Sequence, residues 1–321
     1  MSISIECIKE EGLLPEWFDS ATAGYYDGYI HLVGQAEKAV TLKNTHYVLN
    51  LNGEIVHYLT PPFGNRGEGL VSYLNGKMYQ VGSTTLNDVW AFDPSIAGYT
   101  NASWDWVTLN FVPQIGSRTM AGGCDANGWF YIFGGWNNNT VYKTQNFITW
   151  TSLGNLPSNI NRLSSAGVCF FNNKIYVVGG VSNVTAQTPT AFYNGNVDGY
   201  VYTLDPATDT WTQIHQDKVK FGCCWGNLQT DGTYLYWVRG FVSTQQATTF
   251  NPGDGIVADY NQRGVYASLD GITWIDVSLY AQNNLGFLFE RHATPNTRVG
   301  NAAYFMAGFA ANDMWKLEYL L

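Results

Sequence analysis

Hydrophobic and polar positions along this chain change over in short bursts, without any sustained helical stripe. The runs Tyr131 to Gly135 (YIFGG) and Ile175 to Gly180 (IYVVGG) are apolar almost throughout and end in a Gly pair. Runs this short and rich in aromatic and β-branched residues predict strands buried between neighbouring sheets. No heptad or long 3.6-residue periodicity appears, so almost no helix is expected. The commonest unit is a small-residue strand, an Asn-Gly-like turn, a hydrophobic strand and a Gly pair. It reads Leu74-Asn75-Gly76 to Val81-Gly82, Ala126-Asn127-Gly128 to Gly134-Gly135, and Phe171-Asn172-Asn173 to Gly179-Gly180. Weaker copies run from Asp27-Gly28 to Val33-Gly34, Asp231-Gly232 to Arg239-Gly240, and Gly300-Asn301 to Ala307-Gly308, which makes six.

The turn residues supply the positive φ that a two-residue hairpin requires. Behind each Gly pair comes a variable loop and then an aromatic third strand. Val89-Trp90-Ala91-Phe92 is one, and Gly199 to Leu204 (GYVYTL) is the clearest; the latter is followed by the turn Asp205 to Thr210 and a fourth strand opening at Trp211. The pattern of a Gly pair followed by a spaced Tyr and Trp, over roughly 50 residues, resembles the kelch repeat. The resemblance covers essentially the whole chain and implies an all-β fold: a six-bladed β-propeller of four-stranded antiparallel blades around a channel. It implies no particular activity. Blade boundaries are expected at about 20–60, 66–112, 118–156, 162–216, 218–280 and 291–321, all in a single domain.

The last blade stops at Met314 to Tyr319 with nothing left for a fourth strand. Residues 1–15 are expected to supply it, because Ile8 to Pro15 (IKEEGLLP) has the spacing of the outer strands Trp106 to Pro113 (WVTLNFVP) and Trp150 to Pro157 (WTSLGNLP). Such closure removes a free sheet edge.

Composition narrows the function. Charged residues are 13%, aromatics 16%, and the formal net charge is -9 with no Lys/Arg run, so a polyanion is repelled and nucleic acid is not an expected partner. No apolar stretch approaches the ~20 residues of a membrane span. Met1 to Ile8 lacks the basic and apolar regions of a secretory signal, so the chain is expected to be made in the cytoplasm without one. Cys7, Cys124, Cys169, Cys223 and Cys224 show no CxxC or metal-like spacing. Neither disulfides nor a metal site is expected, and Cys124 and Cys169 read as equivalent buried thiols.

Four Arg recur at the start of blades: Arg66, Arg118, Arg162 and Arg291. They would either ring one channel mouth, holding carboxylates by paired charge-assisted hydrogen bonds, or bond carbonyls of a neighbouring blade. Ser268 to Trp274 (SLDGITW) resembles the Asp-box of sialidase-type propellers, with one residue fewer before its Gly, and Thr144 to Trp150 (TQNFITW) is a degenerate second copy. In those families the box is a folding turn, which implies a structural role here. The set of two His, two Tyr and a Cys that a copper radical oxidase needs is not apparent: His31, His46, His57, His215 and His292 stand at unrelated blade positions, and His31 reads as a core histidine. For a sialidase the Arg set has a counterpart, but no Tyr-Glu pair is identified; Glu68 and Glu290 are the nearest acids. No catalytic residues and no cofactor are assigned.

The loops behind the Gly pairs should all rise from one disc face. They carry Trp136, Asn137 and Asn138; Phe192, Tyr193 and Asn194; and Phe250 and Tyr260. Aromatic faces beside amides suit a sugar or a peptide. The expectation is a non-enzymatic binding or structural module within a larger assembly, such as a bacteriophage virion or tail. Its partners would be other proteins of that assembly or a host-surface glycan. The alternatives are a glycan-processing enzyme of sialidase or sugar-epimerase type, and a cytosolic kelch adaptor.

Overall fold

The structure is a computed structural model, and it describes residues 4–14, 21–37, 41–83, 86–108, 120–135, 138–160, 163–182, 199–221, 223, 226–238, 240, 264–278, 296–308 and 311–320. These residues form six four-stranded antiparallel sheets in a ring, a six-bladed propeller. After β1 (Ser4–Leu13), blade one is β2 (Thr22–Tyr26), β3 (Tyr29–Glu37), β4 (Thr41–Leu49) and β5 (Ile55–Leu59). Blade two is β6 (Leu70–Leu74), β7 (Lys77–Val81), β8 (Val89–Phe92) and β9 (Trp104–Thr108), with a short helix α1 (Pro94–Ala97) between its last two strands. Blade three is β10 (Gly122–Ala126), β11 (Trp129–Phe133), β12 (Thr140–Thr144) and β13 (Thr151–Asn155). The two-residue strands β14 (Leu163–Ser164) and β17 (Val181–Ser182) pair beside blade four, which is β15 (Gly167–Phe171), β16 (Lys174–Val178), β18 (Tyr200–Asp205) and β19 (Thr210–Gln216). A second short helix, α2 (Lys218–Phe221), leads to blade five: β20 (Asn227–Thr230), β21 (Leu235–Val238), β22 (Val265–Ser268) and β23 (Ile275–Asp276). Blade six is β24 (Asn296–Val299), β25 (Ala302–Gly308) and β26 (Ala311–Leu320), and its fourth strand is β1.

The hairpins stand where their turn chemistry predicts. Asn75 and Gly76 have φ of 54° and 73° and join Leu74 to Lys77 across a two-residue turn; Asn127 and Gly128 repeat this at 51° and 76°. Ring closure is antiparallel pairing of β1 with β26, running from Ser4 opposite Leu320 to Leu13 opposite Asp313. Pro15 and Pro113 lie outside the described residues. One outer strand starts earlier than its spacing suggests: β9 opens at Trp104, opposite Phe92, as β19 has Trp211 opposite Leu204. The insertion after Asp93 disguises this, so the buried tryptophan of blade two is Trp104, while Trp106 is 53% exposed.

The core is not one central mass. Among the described residues six apolar clusters occur, one at each blade-to-blade junction, including a cluster of Leu14, Leu32, Tyr47, Tyr304 and Met314 that seals blade six to blade one. Burial of this kind ties each blade only to its neighbours, so the ring is as strong as its weakest junction. The Gly pairs have a matching reason. Gly179, at φ 66°, would place a Cβ 2.7 Å from the Phe221 carbonyl on the segment leading into blade five, so no larger residue fits.

Polar links also cross the junctions. Asp125 on β10 accepts the Tyr73 backbone N–H at 2.7 Å and the Ser72 hydroxyl, both on blade two, and its burial pushes the carboxyl up. The Lys143 ammonium on blade three meets Asp209 on blade four at 2.9 Å. Two kinds of turn between third and fourth strands recur among the described blades, apart from blade one, where Asn50 Oδ1 accepts the N–H groups of Asn52 and Glu54 at 3.0 Å. Blades two and four use Asp-Pro turns, where Asp93 caps Ser95 N–H at 3.0 Å and Asp205 caps Ala207 N–H at 2.9 Å. Blades three and five use the Asp-box. Asp270 Oδ1 accepts the N–H groups of Ile272 and Thr273 at 2.8 Å, which with the Ser268 hydroxyl holds its carboxyl low against partial burial. Trp274 donates back to the Gly271 carbonyl at 2.8 Å. The degenerate copy folds alike, with Asn146 Oδ1 accepting from Ile148 and Thr149 at 2.9 Å.

Candidate channel-mouth site

The first residues of the six inner strands, Thr22, Leu70, Gly122, Gly167, Asn227 and Asn296, line one cavity of about 290 Å³. These residues pair with the far ends of the second strands, for example Leu70 opposite Val81 and Gly167 opposite Val178. The cavity therefore lies at the end of the channel from which the loops behind the Gly pairs depart. Glu68, Met120 and Ser165 stand at equivalent places two residues before their inner strands and also line it. All three are non-glycine residues at positive φ, 56°, 57° and 58°. Such backbone costs of order 1 kcal/mol each and persists only where the surroundings hold it. One of those restraints is the Ser165 N–H, which donates to the Met120 carbonyl at 2.8 Å and links adjacent blades around the mouth. The Ser165 residue is 7% exposed and its hydroxyl lacks a hydrogen-bond partner, an unsatisfied polar group at the cavity wall.

Two of the residues singled out from the sequence as ligand candidates are described. Arg66 is fully buried and is not among the residues lining the cavity. Its guanidinium meets Asp88 at 3.1 Å and lies 3.8 Å over the Phe63 ring, while its backbone N–H donates to the Lys43 carbonyl of blade one at 3.1 Å. Spacing along the chain exposed the repeat but not Asp88, 22 residues on, which pulls the side chain inward. Asn138 is half-buried and shapes its own loop, with Oδ1 accepting the N–H and hydroxyl of Thr140 at 2.9 and 2.6 Å. Trp136, Asn137, Phe192, Tyr193, Asn194, Phe250, Tyr260, Arg118, Arg162 and Arg291 lie outside the described residues. Glu68, considered earlier only as an acid, reaches the cavity.

The histidines are less scattered than they read. His31, His46 and His57 sit on the consecutive strands β3, β4 and β5. His31 Nδ1 is 2.8 Å from His46 Nε2, and both residues are fully buried. His57 stacks on Tyr99 with centroids 4.5 Å apart, and the Tyr99 hydroxyl donates to Asp27 at 2.8 Å. The antiparallel register of β3 and β4, with Val33 opposite His46, was the signal that could have joined the pair. Cys124 and Cys169 do hold equivalent positions on β10 and β15; they are free and partly buried by surface, and desolvation pushes the Cys169 thiol up to about 12. Among the described residues no helix is long and apolar enough to cross a membrane, and no group of three or more His, Cys, Asp or Glu is placed to hold a metal.

Compared with known families, residues 162–214 match the Kelch motif, a span that runs from β14 to β19 and so covers blade four. No curated protein matches the chain. A kelch motif within a six-bladed propeller suggests a binding scaffold for protein interactions, and propellers of this kind are typically non-enzymatic.

Proposed function

We propose that this kelch-motif propeller is a non-enzymatic binding component of a larger assembly, such as a bacteriophage virion or tail, and that it contacts a protein or glycan through the loop-bearing face. One observation carries the reading: the 290 Å³ cavity opens where the inner strands begin, on the same side as the departing loops. A cavity of this size, at the lower end of small-ligand pockets, admits one side chain or sugar unit, with the surrounding loops supplying the wider contact. Backbone strain collected at Glu68, Met120 and Ser165 supports a functional mouth, since such strain clusters at binding sites.

Fractionation of the native source tests this. The chain is expected to co-purify with a particle or complex, and replacing residues 241–263 with a short Gly-Ser linker should release it without unfolding the ring. A chain that travels only as a free monomer in that source would overturn the assembly reading. A glycan array probed with the same pair of proteins then separates a glycan from a protein partner.

A further inference from the structure

Donor and acceptor roles around the buried histidines can be assigned from one fact. The Trp104 indole nitrogen can only donate, and it lies 3.2 Å from His46 Nδ1, so that nitrogen is unprotonated. His46 then carries its proton on Nε2 and donates it to His31 Nδ1 at 2.8 Å. His31 in turn carries its proton on Nε2 and donates to the Tyr26 carbonyl at 3.1 Å. The result is a one-way relay, Trp104 to His46 to His31 to Tyr26, in which all four ring nitrogens are engaged and both rings are neutral.

The relay spans a junction. Trp104 belongs to blade two, while both histidines and Tyr26 belong to blade one; Phe92 of blade two packs edge-on to His46 with centroids 4.9 Å apart. A proton added to His46 Nδ1 would face the indole N–H, and one added to His31 Nδ1 would face the His46 N–H. Either arrival sets donor against donor in a space without water access, where an unpaired polar group is costly.

We propose that this relay is an acid-sensitive latch: uptake of a proton by either imidazole breaks the chain and loosens the junction between blades one and two, while the other junctions stay closed. The titratable and charged neighbours do not offset it. Asp27, on the β2–β3 turn, is exposed and engaged by the Tyr99 hydroxyl. His57 on β5 opposes rather than offsets an added proton, and Tyr26 and Tyr99 contribute only neutral rings at acid pH. Burial accordingly holds His31 near 4 and His46 well below its ordinary range.

The sign follows from linkage. The loosened state takes up protons near the ordinary imidazole pKa of 6.5 and the closed state does not, so closure is fully favoured above 6.5 and is lost as pH falls toward 4. Two such groups make the opening equilibrium rise by up to about a hundredfold per pH unit, against about tenfold for one.

Nitrogen-15 imidazole spectra and amide exchange on the intact chain, from pH 7.5 to 4.5, test the latch without any substitution. Expected are two neutral rings protonated at Nε2, with exchange in β3, β4 and β9 accelerating together below 6.5 while β15 and β16 stay protected. His57→Gln should leave that profile in place, and His46→Gln should reduce its steepness toward one proton. Titration of either buried ring near 6.5 with unchanged exchange, or acid loosening of all blades alike, would overturn the proposal.

Discussion

Phe147 in blade three occupies the turn position that Gly271 occupies in blade five. Both have positive φ, 59° and 75°, and both donate their N–H to the hydroxyl three residues back, Thr144 at 2.9 Å and Ser268 at 2.8 Å. The blades differ in what fills the space beneath. The fully buried Phe147 ring stacks on Tyr79 of blade two at 4.1 Å, whereas at Gly271 the equivalent Tyr176 of blade four takes that space itself and donates to the Asp270 carbonyl at 3.3 Å. One turn thus serves two packing solutions.

At Phe147 the buried ring should outweigh backbone preference, whereas at Gly271 packing and backbone preference act together. Phe147→Gly relieves a left-handed residue yet removes a buried ring, and a net loss of roughly 3 kcal/mol is expected by denaturant unfolding. Gly271→Ala is the smaller change but drives a Cβ into the Tyr176 ring, and should cost at least about 1 kcal/mol. A neutral Gly271→Ala would contradict the packing described.

Asp270 and Asn146 perform the same two-amide cap. Asp270→Asn keeps the accepting oxygen and is expected to lose under about 1 kcal/mol, while Asp270→Ala frees two N–H groups and should lose about 1–2 kcal/mol. Thermal unfolding of the pair at neutral pH distinguishes a cap by geometry from one that depends on charge.

Arg66 and Asp88 form a buried pair across a segment that joins blades one and two. Removing one partner strands the other, so Arg66→Met and Asp88→Asn should each cost about 3 kcal/mol, and the double variant less than their sum. A double-mutant cycle reads this directly. Additive losses would mean that the two side chains act independently.

Much of the scaffold was legible because it is written locally. The hairpins rest on adjacent turn residues such as Asn75-Gly76, the box on seven consecutive residues, and closure on counting strands in the last blade. Contacts that join distant parts of the chain were not legible: Trp104 reaches His46 over 58 residues, and Arg66 reaches Asp88 over 22. Alternation of apolar residues says that a strand is buried but not which neighbour covers it. The loop aromatics Phe192, Phe250 and Tyr260 follow no repeat, so nothing in the blade pattern positions them. Conversely, Glu68, Met120 and Ser165 show no shared residue type, and their common role lies in backbone conformation alone.

The ring closes through β1, which is the fourth strand of blade six. Thermal unfolding of the chain lacking residues 1–15, with and without a synthetic peptide of residues 4–13, measures what that closure contributes. Loss of β1 unpairs β26 and removes Leu14 from the junction cluster of blades six and one. The truncated chain should melt roughly 10 °C or more below the intact one, with partial recovery when the peptide is added. A truncated chain as stable as the whole, indifferent to the peptide, would contradict a propeller closed by its first strand.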